Sequence, residues 1–241
     1  MNETKMKDTQ QFIRTGGLLG IASGVAIVLS AFSTAITAGV ARPDNPGELA
    51  AFFDDVASNS YGFHLYGWTG LAALLLAVPF TYALFLLVRT ALNEAWLGAI
   101  AMWAGLIVLF PAYLLNILVA TKLEPLFDEL GESATDSMYI FYESNAGLAA
   151  LMFLLGSLLT FSIAPWLLSR AWLRTATSPR WIGWLGIFAG VTGLAWVVML
   201  ADEPGVFQIV WVINLLANTV WIIAAGTVMT KYSNPLPDSV A

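Results

Sequence analysis

Six stretches of this chain, 15–40, 62–88, 95–121, 146–169, 181–201 and 206–230, contain no Lys, Arg, Asp or Glu. An α-helix needs about 20 mostly apolar residues to cross the hydrocarbon of a bilayer, and each stretch supplies them. In that solvent every backbone N–H and C=O must be paired internally, so each stretch is expected to be helical. The fold class that follows is all-α: a polytopic membrane protein, a six-transmembrane-helix bundle over 15–230, with 1–14 before it and 231–241 after it. Composition points the same way. The chain is 59% hydrophobic and only 11% charged, against roughly 25% charged residues in soluble domains. The first stretch is too long and too lightly flanked for a cleaved signal peptide.

The charges that remain are sorted by side. If the stretches alternate in direction, Lys5, Lys7, Arg14, Arg89, Arg170, Arg174, Arg180 and Lys231 share one side, while Arg42 and Lys122 lie alone on the other. Basic residues favour the cytoplasmic side, which places both termini inside. The opposite, outer side carries most of the acids, among them Asp54, Asp55, Asp128, Glu129, Glu143 and Asp202. Trp96, Trp172, Trp181 and Trp184 fall near the inner boundary, and Trp68 and Trp211 near the outer one. Interfacial belts suit an indole, which is apolar apart from one N–H. Local signals mark the helix ends: Asn93 as an N-cap, Ser178-Pro179 opening the fifth span, and Asp202-Glu203-Pro204-Gly205 as a turn before the sixth.

Absences narrow the chemistry. There is no cysteine and one histidine, His64, so thiolate sites and the usual multi-histidine haem, copper, zinc or di-iron sites cannot be assembled. No cofactor or metal is expected. No span contains a lysine for a retinal linkage or a carboxylate for ion coupling. A net charge of −6 offers nothing concentrated and basic to neutralise phosphates, so no nucleic acid is expected as a partner. No nucleophile motif accompanies His64, and no catalytic residue is assigned. The acids of the second outer loop lack ordered cation-ligand spacing and read as a solvated face.

Small residues carry the expected packing. Gly16, Gly20 and Gly24 recur every four residues, as do Gly186 and Gly190, a spacing that lets helix backbones approach where lipid gives no hydrophobic incentive. The heptapeptides Leu19–Val25 and Leu185–Val191 match at five of seven positions, and Ile100–Leu106 is a weaker copy. With similar echoes in helices two and four, these matches suggest three tandem helical hairpins as parallel repeats. Loops 41–61 and 122–144 each show apolar residues at helical spacing behind a proline, Pro46 or Pro125, and are expected to hold short amphipathic helices. Kinks are expected at Pro79, Pro111 and Pro165.

Polar groups inside the spans gather in the outer half: Tyr113 and Asn116 in the third, Asn214 and Asn218 in the sixth, with His64, Tyr66, Glu143 and Asn145 at the outer mouths of the second and fourth. Interhelical hydrogen bonding, about 0.6 kcal/mol per bond, is the preferred reading of these groups. The functional alternative is an outward-opening pocket lined by amides, phenols and one imidazole, holding a small ligand.

The run Ser178-Pro179-Arg180-Trp181-Ile182-Gly183 followed by Leu185-Gly186, together with the last helix from Trp211 to Trp221, resembles the bacterial membrane family called domain of unknown function 4386. The resemblance covers about residues 12–230. It implies six helices in a bacterial inner membrane and carries no activity. The leading functional expectation is a non-enzymatic accessory or interaction subunit, or a binder of a small apolar or amphiphilic ligand in the outer half. Its partners would be membrane lipid, other membrane protein subunits or that ligand. A facilitator or transporter of a neutral lipophilic solute comes second, and a membrane-embedded enzyme third.

Overall fold

The computed structural model describes residues 3–37, 40, 42–130, 135–175, 179–194 and 206–232. Among these there is no strand. Helix α1 spans Glu3–Thr37, α2 Leu49–Ser58, α3 Ser60–Val88, α4 Leu92–Leu118, α5 Glu124–Leu130, α6 Thr135–Leu158, α7 Ala164–Arg174, α8 Arg180–Thr192 and α9 Val206–Thr230. Five helical stretches, Lys7–Ser33, Ser60–Val88, Leu92–Leu130, Thr135–Arg174 and Ile209–Thr230, are long and apolar enough to cross a membrane. The expected fifth span is represented by α8; its remainder from 195 and the turn expected at 202–205 lie outside the described residues.

Several boundaries differ from the sequence reading. The segment before residue 15 is already helical from Glu3. Residues 122–144 hold the expected short helix, α5, but it continues α4 through a wide turn at Val119–Leu123, and α6 already begins at Thr135. Asn93 is not the N-cap of α4, which opens at Leu92 behind Ala91 without a side-chain cap. Helices α3 and α4 run on through Pro79 and Pro111.

Two further prolines follow widened turns. The π-helical turns Val119–Leu123 and Leu159–Ile163 each end two residues before a proline, Pro125 and Pro165. A proline ring clashes with the carbonyl four residues earlier and gives it no N–H. One extra residue in the turn widens the helix there and relieves the clash.

Neighbour contacts close the helices into an up-and-down ring in chain order, α1, α3, α4, α6–α7, α8, α9 and back to α1. Antiparallel pairing shows in the close approaches: Gly16 against Ala83 and Gly20 against Phe80, Gly67 against Ile117 and Gly70 against Tyr113, Gly98 against Leu168 and Gly105 against Thr160, Gly183 against Leu173 and Gly193 against Phe161, Gly17 against Gly226 and Gly24 against Ile223. At one end Arg14 Nε donates to Tyr232 O at 2.9 Å, and Arg174 pairs with Glu94. Burial raises the Tyr232 phenol above its ordinary pKa, and the nearby charge of Arg89 opposes that. These contacts gather Arg14, Arg89 and Arg174 at the end where α1 begins and α9 ends. The opposite end, called distal below, carries Arg42 and Lys122.

The expected glycine stripe of α1 divides between two neighbours. Gly16 and Gly20 face α3 at Ala83 and Phe80, whereas Gly24 faces α9 at Ile223. At 3.6 residues per turn a four-residue spacing drifts by ~40°, so Gly24 has rotated onto the side of Gly17. In α8, Gly186 meets Ser169 and Trp221, and Gly190 meets Trp166 and Ser162. The two aligned heptapeptides thus meet equivalent neighbours. Gly20 and Gly186 each face an aromatic ring on the following transmembrane helix, Phe80 or Trp221, and Gly24 and Gly190 each face the helix that precedes them around the ring. Phe80 and Trp221 touch edge to face, centroids 6.4 Å apart. The weaker copy in α4 departs from this pattern, because Gly105 faces Gly156 and Thr160 of the helix that follows it.

Candidate functional site

At the distal end a cavity of about 610 Å³ opens among α3, α4, α6 and the 40–52 segment. Small side chains create it. Ala112, Ala146, Ala149 and Ala150 line the wall where larger residues would fill the space, and Phe52, Phe63, Phe141 and Phe153 supply apolar surface. Helix α2 covers it in part. Leu49, Phe52, Phe53 and Val56 recur at helical spacing and all are buried, Phe52 against Tyr142 with centroids 4.8 Å apart and Phe53 against Phe127 at 5.0 Å. This satellite core with Ala120 and Met138 fixes α2 over the ends of α4, α5 and α6. Tyr139 Oη donates to Asp44 O at 3.0 Å, tying the segment before α2 to α6.

The polar groups expected at an outer pocket separate by position. Tyr66, Asn116 and Asn145 line the cavity. Each amide sends its Nδ2 back to its own helix, Asn116 to Ala112 O at 2.9 Å and Asn145 to Phe141 O at 2.7 Å. Glu143 lies beside the cavity, paired with Arg42 at 3.1 Å. Tyr113 lies deeper, its ring 5.2 Å from that of Tyr66 and 6.0 Å from Phe153. These three rings form a layer above a second cavity of about 60 Å³ at the bundle centre, which Tyr66 and Phe153 share with the first.

Asn214, Asn218 and His64 line neither cavity. The two asparagines are buried and bind backbone. Asn214 Nδ2 donates to Ala189 O (2.6 Å) and Phe161 O (3.1 Å), and Asn218 Nδ2 donates to Phe161 O (2.9 Å) and Asn214 O (3.0 Å). Phe161 is the residue four before Pro165, whose missing N–H leaves this carbonyl short of a donor. The amides supply it from α9. His64 is half-buried on α3.

Two cavity residues carry charge that the sequence reading used only for orientation. Arg42 and Lys122 both line the wall, while no Asp or Glu does. The signal was present as the isolation of two cations on an otherwise acidic side. Among the described residues the cavity wall carries no thiol, carboxylate or imidazole; its ionisable side chains are Arg42, Lys122, Tyr66 and Tyr142. Among the described residues no group of His, Asp and Glu is placed to hold a metal.

No family model, curated protein or solved structure matches this chain.

Proposed function

We propose that this chain is a multi-pass membrane protein that binds a small apolar or amphiphilic molecule in the distal cavity, without catalysing its conversion. The supporting observation is the cavity itself: about 610 Å³, walled by aromatic and alanine side chains, with a few polar groups. Ligand sites of small molecules have this size and this mixture. The setting that accompanies this reading is a bacterial inner membrane, both termini cytoplasmic, in keeping with the basic end and the resemblance to domain of unknown function 4386.

Filling the cavity tests the reading. Ala149→Phe places a ring into the wall from α6. Native mass spectrometry of the protein extracted in mild detergent is expected to show co-purified lipid or amphiphile on the wild type and its loss on A149F, with thermal stability retained. Equal occupancy of the two proteins would refute the cavity as the binding site.

The small cavity beneath Tyr66 and Phe153 favours a second reading, passage of a neutral lipophilic solute through the bundle. It requires the aromatic layer to part, and liposome flux that Tyr66→Ala accelerates would distinguish it from binding alone. An accessory role would rest on other surfaces, since the glycine faces of α1 and α8 are occupied within the chain. Co-purification with a larger complex is its test.

A further inference from the structure

Resting on the cavity reading above, we infer that the preferred ligand is anionic: a single-chain amphiphile whose acyl tail enters the distal cavity and whose negative head group meets Arg42 and Lys122. The argument is one of charge sorting. Of the ten Lys and Arg residues in the chain, the two at the distal end both line this one cavity. Of the acids at the same end, Glu143 sits beside the cavity in its pair with Arg42, and others face away. Asp54 and Asp55 on α2 and Asp128 and Glu129 on α5 are exposed, and none of them lines the wall. A cavity meant only for neutral apolar molecules gains nothing from two cations, whose desolvation opposes burial of a tail beside them.

The two cations are not equivalent. Arg42 already has Glu143 at 3.1 Å, in a pair about half exposed on both sides. Lys122 has neither an ion pair nor a hydrogen bond among the described residues. Its position follows from the π-helical turn Val119–Leu123, whose residues Val119, Lys122 and Leu123 all line the cavity. The long methylene stem of a lysine covers apolar wall while its ammonium reaches the aqueous rim. The ligand geometry that matches is a tail against Phe63 and Phe153 with the head at Lys122. Arg42 then acts as a second contact whose charge Glu143 partly neutralises. A fatty carboxylate and a lysophospholipid phosphate share this chemistry.

The experiment uses the full-length protein in neutral detergent, at a pH where the fatty carboxylate is ionised. Competition against a fluorescent fatty acid is measured for oleate, oleoyl lysophosphatidylglycerol and oleyl alcohol. Wild type is expected to prefer an anionic probe over the alcohol by about tenfold, the scale of one charge-assisted hydrogen bond. The stronger of the two anions identifies the source. K122Q should reduce the preference to near unity, K122R should restore it, and E143Q should strengthen anion binding by freeing Arg42. Equal affinity for oleate and oleyl alcohol in the wild type would overturn this inference and leave the cavity reading standing. Failure of all three probes to bind would overturn both. A preference that survives in the K122Q/R42Q double variant would place the anion site elsewhere.

Discussion

A methyl group built at Gly17 would stand 2.6 Å from Gly226 O and 2.9 Å from Thr230 N, and Gly226 in turn faces Gly17 O. The obstacles are backbone atoms, which no rotamer change can move. Here α1 and α9 touch main chain to main chain and close the ring. Gly17→Ala is therefore expected to cost about 1–3 kcal/mol, the range for overpacking a filled contact. Gly147 gives the contrast, because a Cβ there meets nothing within 4 Å. Gly147→Ala should be neutral or stabilising by up to about 1 kcal/mol through helix propensity. Thermal unfolding of the two variants in one detergent checks the pair, and equal midpoints would contradict the described α1–α9 contact. The glycines at 16, 20 and 24 were legible from their spacing. Gly17 was not, because nothing in a four-residue pattern tells which neighbour each member will face.

At the scale of elements, the fourth helical stretch is held together by groups from outside it. Pro165 leaves Phe161 O without its α-helical donor, the turn at Leu159–Ile163 widens, and Asn214 and Asn218 reach across from α9 to that carbonyl. Ser162 Oγ adds a bond to Gly190 O at 2.6 Å, so three helices meet at one interruption. Asn218→Ala should destabilise the protein by about 1–3 kcal/mol, the cost of leaving a buried acceptor short of donors. In a Pro165→Ala background the helix regains an N–H, and the same change should cost measurably less. A double-mutant cycle reads that coupling, and an additive result would deny the link between proline and amides. The sequence disclosed the buried asparagines and the proline separately. Their joint role needs two segments about fifty residues apart to be juxtaposed, which no local pattern encodes. The continuation of α4 into α5 escaped for a related reason: Lys122 and Glu124 read as a span's end, whereas backbone pairing carries a helix past charges once it has left the hydrocarbon.

The whole molecule is a ring of helices in chain order whose two ends differ in charge, and its orientation decides which leaflet would supply the ligand proposed for the distal cavity. Membership of the ring was legible because charge-free length sets where helices form. The cavity was not, since it comes from alanines on facing helices and from α2 packing over them. If the basic end faces the cytoplasm, as the Lys and Arg distribution favours, the cavity draws from the outer leaflet; if reversed, from the inner one. The chain has no cysteine, so a single introduced thiol reports alone. Asp54→Cys, exposed on α2, is expected to react with a membrane-impermeant maleimide added to intact cells. Lys231→Cys, exposed after α9, should react only after the membrane is opened. Reversed accessibility would invert the protein and place the source of the proposed anionic amphiphile in the cytoplasmic leaflet. Reaction of both thiols in intact cells would instead break the antiparallel ring, because α9 would then have to end on the side where α2 lies.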